Sequence, residues 1–329
     1  MENNPPLKSG HQLDQQDNFV KFDVSAFNEK ETIEARKLFS EVFGHCVSAE
    51  HWNWKYVQGP RLGSVNMVAR TSAGELIGHA GSILFSGIYK NQPLIFAQVC
   101  DVMVSRHVRG GLDHCGVYPR LMKALQETLH ARFGTVFAYG FPGVRPFRLG
   151  ERMGFYRQLY PVKSSRFTGF QKQGFAFQTG VAVEIEWNIE RLDLIWKRIA
   201  GCQKSPMLER TGNYMLWRYH AHPERSYRLW IIKSWCKDAG WLVTATMPNG
   251  EIVIIDALLP PKITANLACR MLWCAFNKAH EPVSVIVHWL DQSDPSACPN
   301  GIIACEILVD DWHTLFLPSG FQPGDTDVF

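Results

Sequence analysis

Residues 96–125 read FAQVCDVMVSRHVRGGLDHCGVYPRLMKAL, and this stretch decides the fold class. It belongs to a long apolar strand, 93–105, in which Asp101 is the one charged residue. A loop follows from Arg106 to Cys115 and carries Arg109, Gly110 and Gly111. Gly116 then opens a helix predicted over 117–132, where Leu121, Leu125 and Leu129 recur at one-turn spacing. Glycines in such a loop let backbone N–H groups turn inward, and the helix N-terminus adds its partial positive charge. A phosphate or pyrophosphate is well served by that combination. Pro119 suits the first helical turn, where its missing N–H is not needed. Arg106, His107 and Arg120 add positive charge nearby. The same residues also fit a glycine-rich strand-to-helix turn with no ligand.

Working outward, residues 135–156 read TVFAYGFPGVRPFRLGERMGFY. They predict a strand at 136–141, a helix near 145–153 and a further strand from Phe155. Upstream, a strand is expected at 19–24, and Asn28 with Glu31 forms a capping box. The helix it opens, 30–43, is expected to bury Ile33, Leu38, Phe39, Val42 and Phe43. Ser48 caps a second short helix bearing Trp52, Trp54 and Tyr56. Strands at 64–70 and 77–86 precede the apolar one. The order is β-α-α-β-β-β-α-β-α-β, with two successive strands that each feed a helix, as in a nucleotide-binding crevice.

The strand QVCDVMV, the Arg-Gly-Gly loop, the helix GVYPRLMKAL and the element GFP…RLGERMGFY together resemble the GNAT superfamily of acyl-CoA-dependent acetyltransferases. The resemblance covers about residues 19–165. It implies an α/β (α+β) fold with a mixed, mostly antiparallel sheet flanked by helices, and acetyl-CoA as co-substrate with no metal. It implies further that Met103, Val104 and Ser105 lend backbone to the pantetheine amides. Arg109, Gly110, Gly111, Gly116 and Val117 would then wrap the pyrophosphate. Three departures stand out. The span from Arg109 to Gly116 is longer than the usual loop. Gly150 occupies a place where a general-acid Tyr often stands, and Gly143 a place where an Asn often opens the helix.

Acetyl transfer requires an amine that loses a proton, a stabilised thioester oxygen and a protonated thiolate. Asp101, in the strand that should face the thioester, is the candidate base; a structural, hydrogen-bonded carboxylate is its alternative. Tyr156 and Tyr139 are candidate acids, with simple packing as theirs. His114 beside Cys115 has no evident third partner, so covalent catalysis is not expected. Arg145, Arg148 and Arg152 share a helical face, read as solvated or as a contact to an anion.

A repeat organises the rest. HWNWKYVQGP (51–60) and YMLWRYHAHP (214–223) align Trp54 with Trp217, Lys55 with Arg218, Tyr56 with Tyr219 and Pro60 with Pro223, at a constant offset of about half the chain. Both motifs are preceded by a helical pattern and followed by an apolar strand, SVNMVAR and RLWIIKS. Strands are expected at 181–186, 228–233, 241–246, 251–259 and 283–290, helices at 189–200, 210–219 and 264–279, and an extended segment at 302–317. The expected organisation is a disordered tail (1–18), a GNAT domain with the acyl-CoA site (19–165), a linker (166–180) and a degenerate GNAT-like domain (181–329), similar to tandem-GNAT proteins. Pro260 and Pro261 stand where the second copy would need glycines. Asp256 echoes Asp101, and Asp325 and Asp327 are expected in an exposed acidic terminus.

Composition bounds the alternatives. The 329 residues are 46% hydrophobic and 20% charged, an ordinary globular balance. Lys plus Arg is 34 against 31 Asp plus Glu, a net of +3, too mild for a nucleic-acid binder. No apolar run of about 18 residues suggests a membrane span, and the polar N-terminus lacks a signal-peptide core, so the cytoplasm is expected. Nine scattered cysteines without a CxxC pair suggest neither a disulfide framework nor a zinc site. The expected activity is acetyl-CoA-dependent N-acetylation of a small-molecule or peptide amine. The rivals are a Fem-type aminoacyltransferase and a non-catalytic scaffold with two decayed domains.

Overall fold

The computed structural model describes residues 20–89, 92–109, 115–169, 180–200, 206–235, 237–281, 283–309 and 323–326. The expected tail, Gly110, Gly111, His114 and Asp327 lie outside the described residues. The first half runs β1 (Phe22–Ala26), α1 (Thr32–Phe43), α2 (Ala49–Tyr56), β2 (Gly63–Thr71), β3 (Leu76–Tyr89), β4 (Gln92–Val104), α3 (Val117–Phe133), β5 (Phe137–Gly140), α4 (Val144–Arg152) and β6 (Tyr156–Phe167). The second runs β7 (Gly180–Ile185), α5 (Ile189–Ala200), β8 (Met207–Leu208), α6 (Gly212–Met215), β9 (Arg228–Ser234), β10 (Lys237–Thr246), β11 (Ile252–Leu258), α7 (Ala265–Lys278), β12 (Ile286–His288) and β13 (Cys298–Ile307). α6 continues as one π turn, Leu216–His220.

The strands form one mixed, mostly antiparallel sheet in the order β1-β2-β3-β4-β5-β13-β6-β12-β11-β10-β9-β7. β4 with β5 and β11 with β12 are the parallel neighbours. The order is palindromic: β1 to β5 on one flank answer to β7, β9, β10, β11 and β12 on the other. β13 lies between β5 and β6, while β6 lies between β13 and β12. Each half therefore places its sixth strand inside the sheet of the other, and the two halves share one hydrogen-bonded ladder.

Strand alternation divides the core between the two faces. Ile83, Phe85, Phe96, Phe137 and Tyr139 point to one side, where they pack with Trp54 of α2 and with Trp196 and Met215 of the second half. Leu84, Ala97, Val99 and Ala138 point to the other, against Leu121, Leu125 and Leu129 of α3. In the second half Trp230, Ile232 and Ile254 meet Leu272 and Phe276 of α7. Gly78 of β3 permits the close approach of α3, since a Cβ there would lie 2.7 Å from Leu121 and 2.8 Å from Val117.

One expectation for α1 requires correction. Ile33 is 64% exposed and Phe43 45% exposed, not buried. Only Ala35 and Leu38 of α1 are fully covered, because the helix closes over the sheet with one narrow stripe. The Phe43 ring instead lines a cleft described below.

The two tryptophans of the repeat meet. Their rings stack with centroids 5.0 Å apart and planes 21° from parallel. The Trp54 indole N–H donates to the Trp217 carbonyl at 2.8 Å, and the Trp217 indole N–H donates to the Trp54 carbonyl at 3.1 Å. Gly59, at φ +90°, leaves room for this pair, since a Cβ there would sit 2.5 Å from the Trp217 ring. Truncating either ring removes one buried indole and with it the contact that both halves share. Trp54→Ala or Trp217→Ala is expected to cost roughly 3–5 kcal/mol, read as a lower urea midpoint with an unchanged slope.

Candidate active site

β4 pairs with β5 at Phe96–Phe137, Ala97–Ala138 and Gln98–Tyr139. Beyond Gln98 the two strands diverge, and a cleft of about 560 Å³ opens between them. Its walls come from Val99 to Val102 of β4, from Gly140 at the end of β5 through Gly143, from Phe39 and Phe43 of α1, and from Tyr156.

A β-bulge aims the first of these strands. The β3–β4 register shifts between His79 and Gly81, which face Met103 and Cys100, so β4 carries an extra residue there. Asp101 takes it up at φ +49°, a left-handed conformation that Asp tolerates better than most residues. The bulge turns its carboxylate toward α2. The Lys55 ammonium lies 2.9 Å from both Asp101 oxygens, and the Tyr56 hydroxyl donates to Oδ2 at 2.6 Å. His79, fully buried, bonds the Asp101 carbonyl through Nδ1 at 2.8 Å. Burial by itself would raise the Asp101 pKa. The Lys55 charge, the Tyr56 and Lys55 hydrogen bonds and His79 outweigh it and hold the carboxyl below the usual aspartate range. Burial also keeps His79 below its ordinary value, so the ring is neutral and Nδ1–H donates.

Tyr156 reaches the cleft from the start of β6. Burial, reinforced by neighbouring Tyr118, drives its pKa well above the ordinary phenol, so it holds its proton at neutral pH. A Cβ on Gly150 would come within 2.2 Å of the Tyr156 ring. The missing side chain at Gly150 and the presence of Tyr156 are thus one packing arrangement. Tyr139 lies elsewhere: it is fully buried among Phe96, Phe137 and Phe141 and is not part of the cleft lining.

The expected coenzyme positions fall along the diverging edge and the helix it feeds. Met103 packs with Leu38, Val68 and Leu76. The Val104 carbonyl accepts from Arg109 Nε at 2.8 Å. Ser105 is tied to Glu41 at 2.9 Å, and the same carboxylate oxygen accepts from the Arg106 backbone N–H. Gly116 is the N-cap of α3 and supplies no side-chain cap to its first turn; Val117 begins the helix and is buried. Arg145, Arg148 and Arg152 are exposed and outside the cleft lining.

Sequence reasoning missed Lys55, Tyr56 and His79 as site residues. Lys55 and Tyr56 stood inside the repeat and carried no separate signal of a site role. The pointer to them was the pairing of that motif with one charged residue in an apolar strand, which recurs in the second half. There the Tyr219 hydroxyl donates to Asp256 of β11 at 2.9 Å, as Tyr56 does to Asp101. The register of β10 on β11 also shifts beside Asp256. The ion pairs differ. Asp256 accepts from Arg210 Nε at 2.7 Å, and Arg210 Nη2 reaches Asp325 at 2.7 Å. Asp325 was expected in an exposed acidic terminus; it is 2% exposed, because a fully buried guanidinium draws the segment inward. The Thr326 carbonyl accepts from Arg218 at 2.5 Å.

Residues 23–159 match the model of a GNAT acetyltransferase domain. No curated protein matches the sequence significantly. Among solved structures, a probable N-acyltransferase from Enterococcus faecalis aligns with a TM-score of 0.64 at 15% identity, over 87% of this chain and 72% of its own. Eis1 from Mycobacterium abscessus aligns with a TM-score of 0.56 at 17% identity, over 88% and 74%. N-myristoyltransferase from Saccharomyces cerevisiae aligns with a TM-score of 0.54 at 11% identity, over 93% and 85%. At such identities the structures speak for the fold alone, and the domain match speaks for the superfamily. Residues 23–159 match a GNAT acetyltransferase domain, and on that match the protein is an acyltransferase.

Proposed function

We propose that the chain is an acetyl-CoA-dependent N-acetyltransferase whose thioester lies in the cleft between β4 and β5. The observation that carries this reading is the divergence of the two strands beyond Gln98, with Asp101 turned out by the bulge at the fork. Strand edges that part in this way leave backbone groups for pantetheine amides, and Met103, Val104 and Ser105 are the expected positions; the Val104 carbonyl would exchange its bond from Arg109 for one from the coenzyme, while the Ser105 N–H stays with Ile77 of β3. The first turn of α3 has no side-chain cap at Gly116, so its N–H groups suit a pyrophosphate, with Arg109, Gly110, Gly111 and Val117 around it. In the reaction the acceptor nitrogen attacks the thioester carbonyl, the C–N bond forms and the C–S bond breaks. The departing thiolate takes the Tyr156 proton, the acceptor nitrogen gives up one of its own to Asp101, and solvent carries that proton back to the Tyr156 phenolate; Tyr139 serves packing.

The palindromic strand order, the reciprocal Trp54–Trp217 contact and the paired Tyr–Asp contacts support descent of both halves from one domain. In this reading the second half is a degenerate copy, and the protein acts in the cytoplasm on a small-molecule or peptide amine. Among the described residues no helix is long and apolar enough to cross a membrane.

Acetyl-CoA is expected to raise the melting temperature through linkage. Gly116→Asp tests the pyrophosphate position with an internal control. Asp is a good N-cap and should leave α3 as stable or more so, yet it sets a carboxylate against the pyrophosphate. The unliganded melting point should hold while the acetyl-CoA shift disappears. If neither acetyl-CoA nor longer acyl-CoAs move the wild-type melting curve at millimolar concentration, the reading is wrong.

A further inference from the structure

The cleft lining draws on both faces of the sheet. Tyr156 belongs to the core under α3, Trp52 belongs to the core under α2, and Asp101 turns its carboxylate to the α2 side. On that side the wall is aromatic. Phe39 and Phe43, one turn apart on α1, hold their rings 4.7 Å apart. α1 ends there, and the chain turns back at Gly44 to lay the His45 ring edge-on against Phe39 at 5.2 Å. Val47 and Trp52 continue the wall. The Trp52 ring lies 4.7 Å from that of Tyr56, whose hydroxyl donates to Asp101, so the wall leads from Phe43 to the candidate base. Among the described residues, the stretch from 39 to 52 contributes no Lys, Arg, Asp or Glu to the lining. Glu41, within that stretch, is turned to Ser105 and Arg106 instead. Phe43 nevertheless stays 45% exposed, an apolar surface open to solvent.

We propose that this wall is the acceptor's subsite, and that the enzyme acylates primary amines carrying an aryl group a short chain from the nitrogen. This deepens the acetyltransferase reading and rests on it. The side on which the wall lies assigns it to the acceptor and not to the acyl chain. The coenzyme's pyrophosphate belongs to the first turn of α3, on the other face, where Tyr156 also stands. A molecule on the α2 side meets Asp101, which takes the amine's proton. An aryl ring laid on Phe43 and Phe39 would let its chain run past Trp52 and bring the nitrogen to Asp101. The planes of Phe39 and Phe43 are tilted by 53°, and that of His45 stands at 89° to Phe39, so the wall offers ring faces and edges together, the contacts that aryl groups prefer. Covering Phe43 takes apolar surface of both partners out of water. A polyol or polyamine gains nothing from that wall and would give up hydration against a surface with few polar partners. The cleft, about 560 Å³, is of a size that holds a small aryl amine.

The test is a steady-state comparison of 2-phenylethylamine with ethanolamine, primary amines of similar basicity, at saturating acetyl-CoA. The expected result is a kcat/KM higher for the aryl amine by on the order of tenfold or more. Phe43→Ser should bring the ratio toward one, read as a higher KM for the aryl amine, and Phe43→Leu, which keeps the apolar surface, should retain most of it. Equal or better turnover of ethanolamine, turnover confined to polyamines or aminoglycosides, or no turnover of either amine overturns the inference. So does a Phe43→Ser enzyme that keeps the aryl preference and instead loses activity with octanoyl-CoA, which would give the wall to the acyl chain. Should Phe43→Ser fail to fold, the wild-type ratio and Phe43→Leu still decide. The acetyl-CoA melting shift keeps the two readings apart. If the shift is present without an aryl preference, only the acceptor assignment fails; if it is absent, the underlying reading fails with it.

Discussion

Arg210→Met is expected to remove more stability than any other single change to the second half. Arg210 is 1% exposed and is held by Asp256 on one side and Asp325 on the other. Desolvation disfavours its charge, and the two carboxylates more than restore it, so its pKa lies well above the ordinary guanidinium. Methionine fills the volume but leaves two carboxylates at 0% and 2% exposure without their cation. Breaking a buried pair by removing one partner costs roughly 3–5 kcal/mol, and here one substitution breaks two. The loss approaches the whole margin of a natural protein, about 5–15 kcal/mol. Asp325→Asn should cost much less, because Arg210 keeps Asp256 and the amide oxygen still accepts a hydrogen bond. Urea denaturation of the two variants should therefore rank Asp325→Asn between wild type and Arg210→Met. A soluble Arg210→Met protein melting with wild type would show that the triad carries no such load. Should that variant fail to fold, the intermediate loss in Asp325→Asn remains the measurement that decides.

The same triad shows where reading the sequence stopped. The period-2 and period-3.6 patterns located the large elements, because apolar faces must meet a core and their spacing is local information. Leu121, Leu125 and Leu129 are all fully buried as that spacing requires. The π turn at Leu216–His220 and the two-residue β8 on the edge of β3 had no local pattern to announce them. Nor was the exchange of β6 and β13 legible, since strand order depends on pairings more than a hundred residues apart. Asp325 lay in a polar terminal stretch, and only the buried guanidinium of Arg210, far away in sequence, explains its burial. In the candidate site, Asp101 was conspicuous as the one charge in an apolar strand, and Tyr156 as the aromatic beside a glycine-rich helix end. Their partners were not. That Lys55 neutralises Asp101 follows from the bulge, and a bulge leaves no mark on hydrophobic alternation beyond a single displaced residue.

Asp101→Asn is expected to lower turnover on the order of a hundredfold or more, and its pH dependence identifies what the carboxylate does. In the folded protein Asp101 binds its proton less readily than in the unfolded chain. The ionised carboxylate therefore favours the folded state at pH above the ordinary aspartate range, about 4. That contribution fades as pH falls through the lower folded value. From pH 6 to 9 Asp101 is uniformly charged. Any rise of kcat/KM across that window belongs to the acceptor amine shedding its own proton, and any limb due to Asp101 lies below pH 4. A carboxylate so acidic is better suited to holding an ammonium than to keeping its proton. Asn at position 101 would take the Asp101 charge away from the buried Lys55 ammonium, at a cost of roughly 3–5 kcal/mol. Lys55→Met with Asp101→Asn removes both charges and should recover much of that stability without recovering turnover. The profile of the single variant, measured at a temperature where it stays folded, should keep its rise between pH 6 and 9 at a uniformly reduced height. If Asp101→Asn turns over at the wild-type rate with saturating acceptor, Asp101 is a structural anchor for Lys55 and Tyr56, and the proton leaves the amine by way of water.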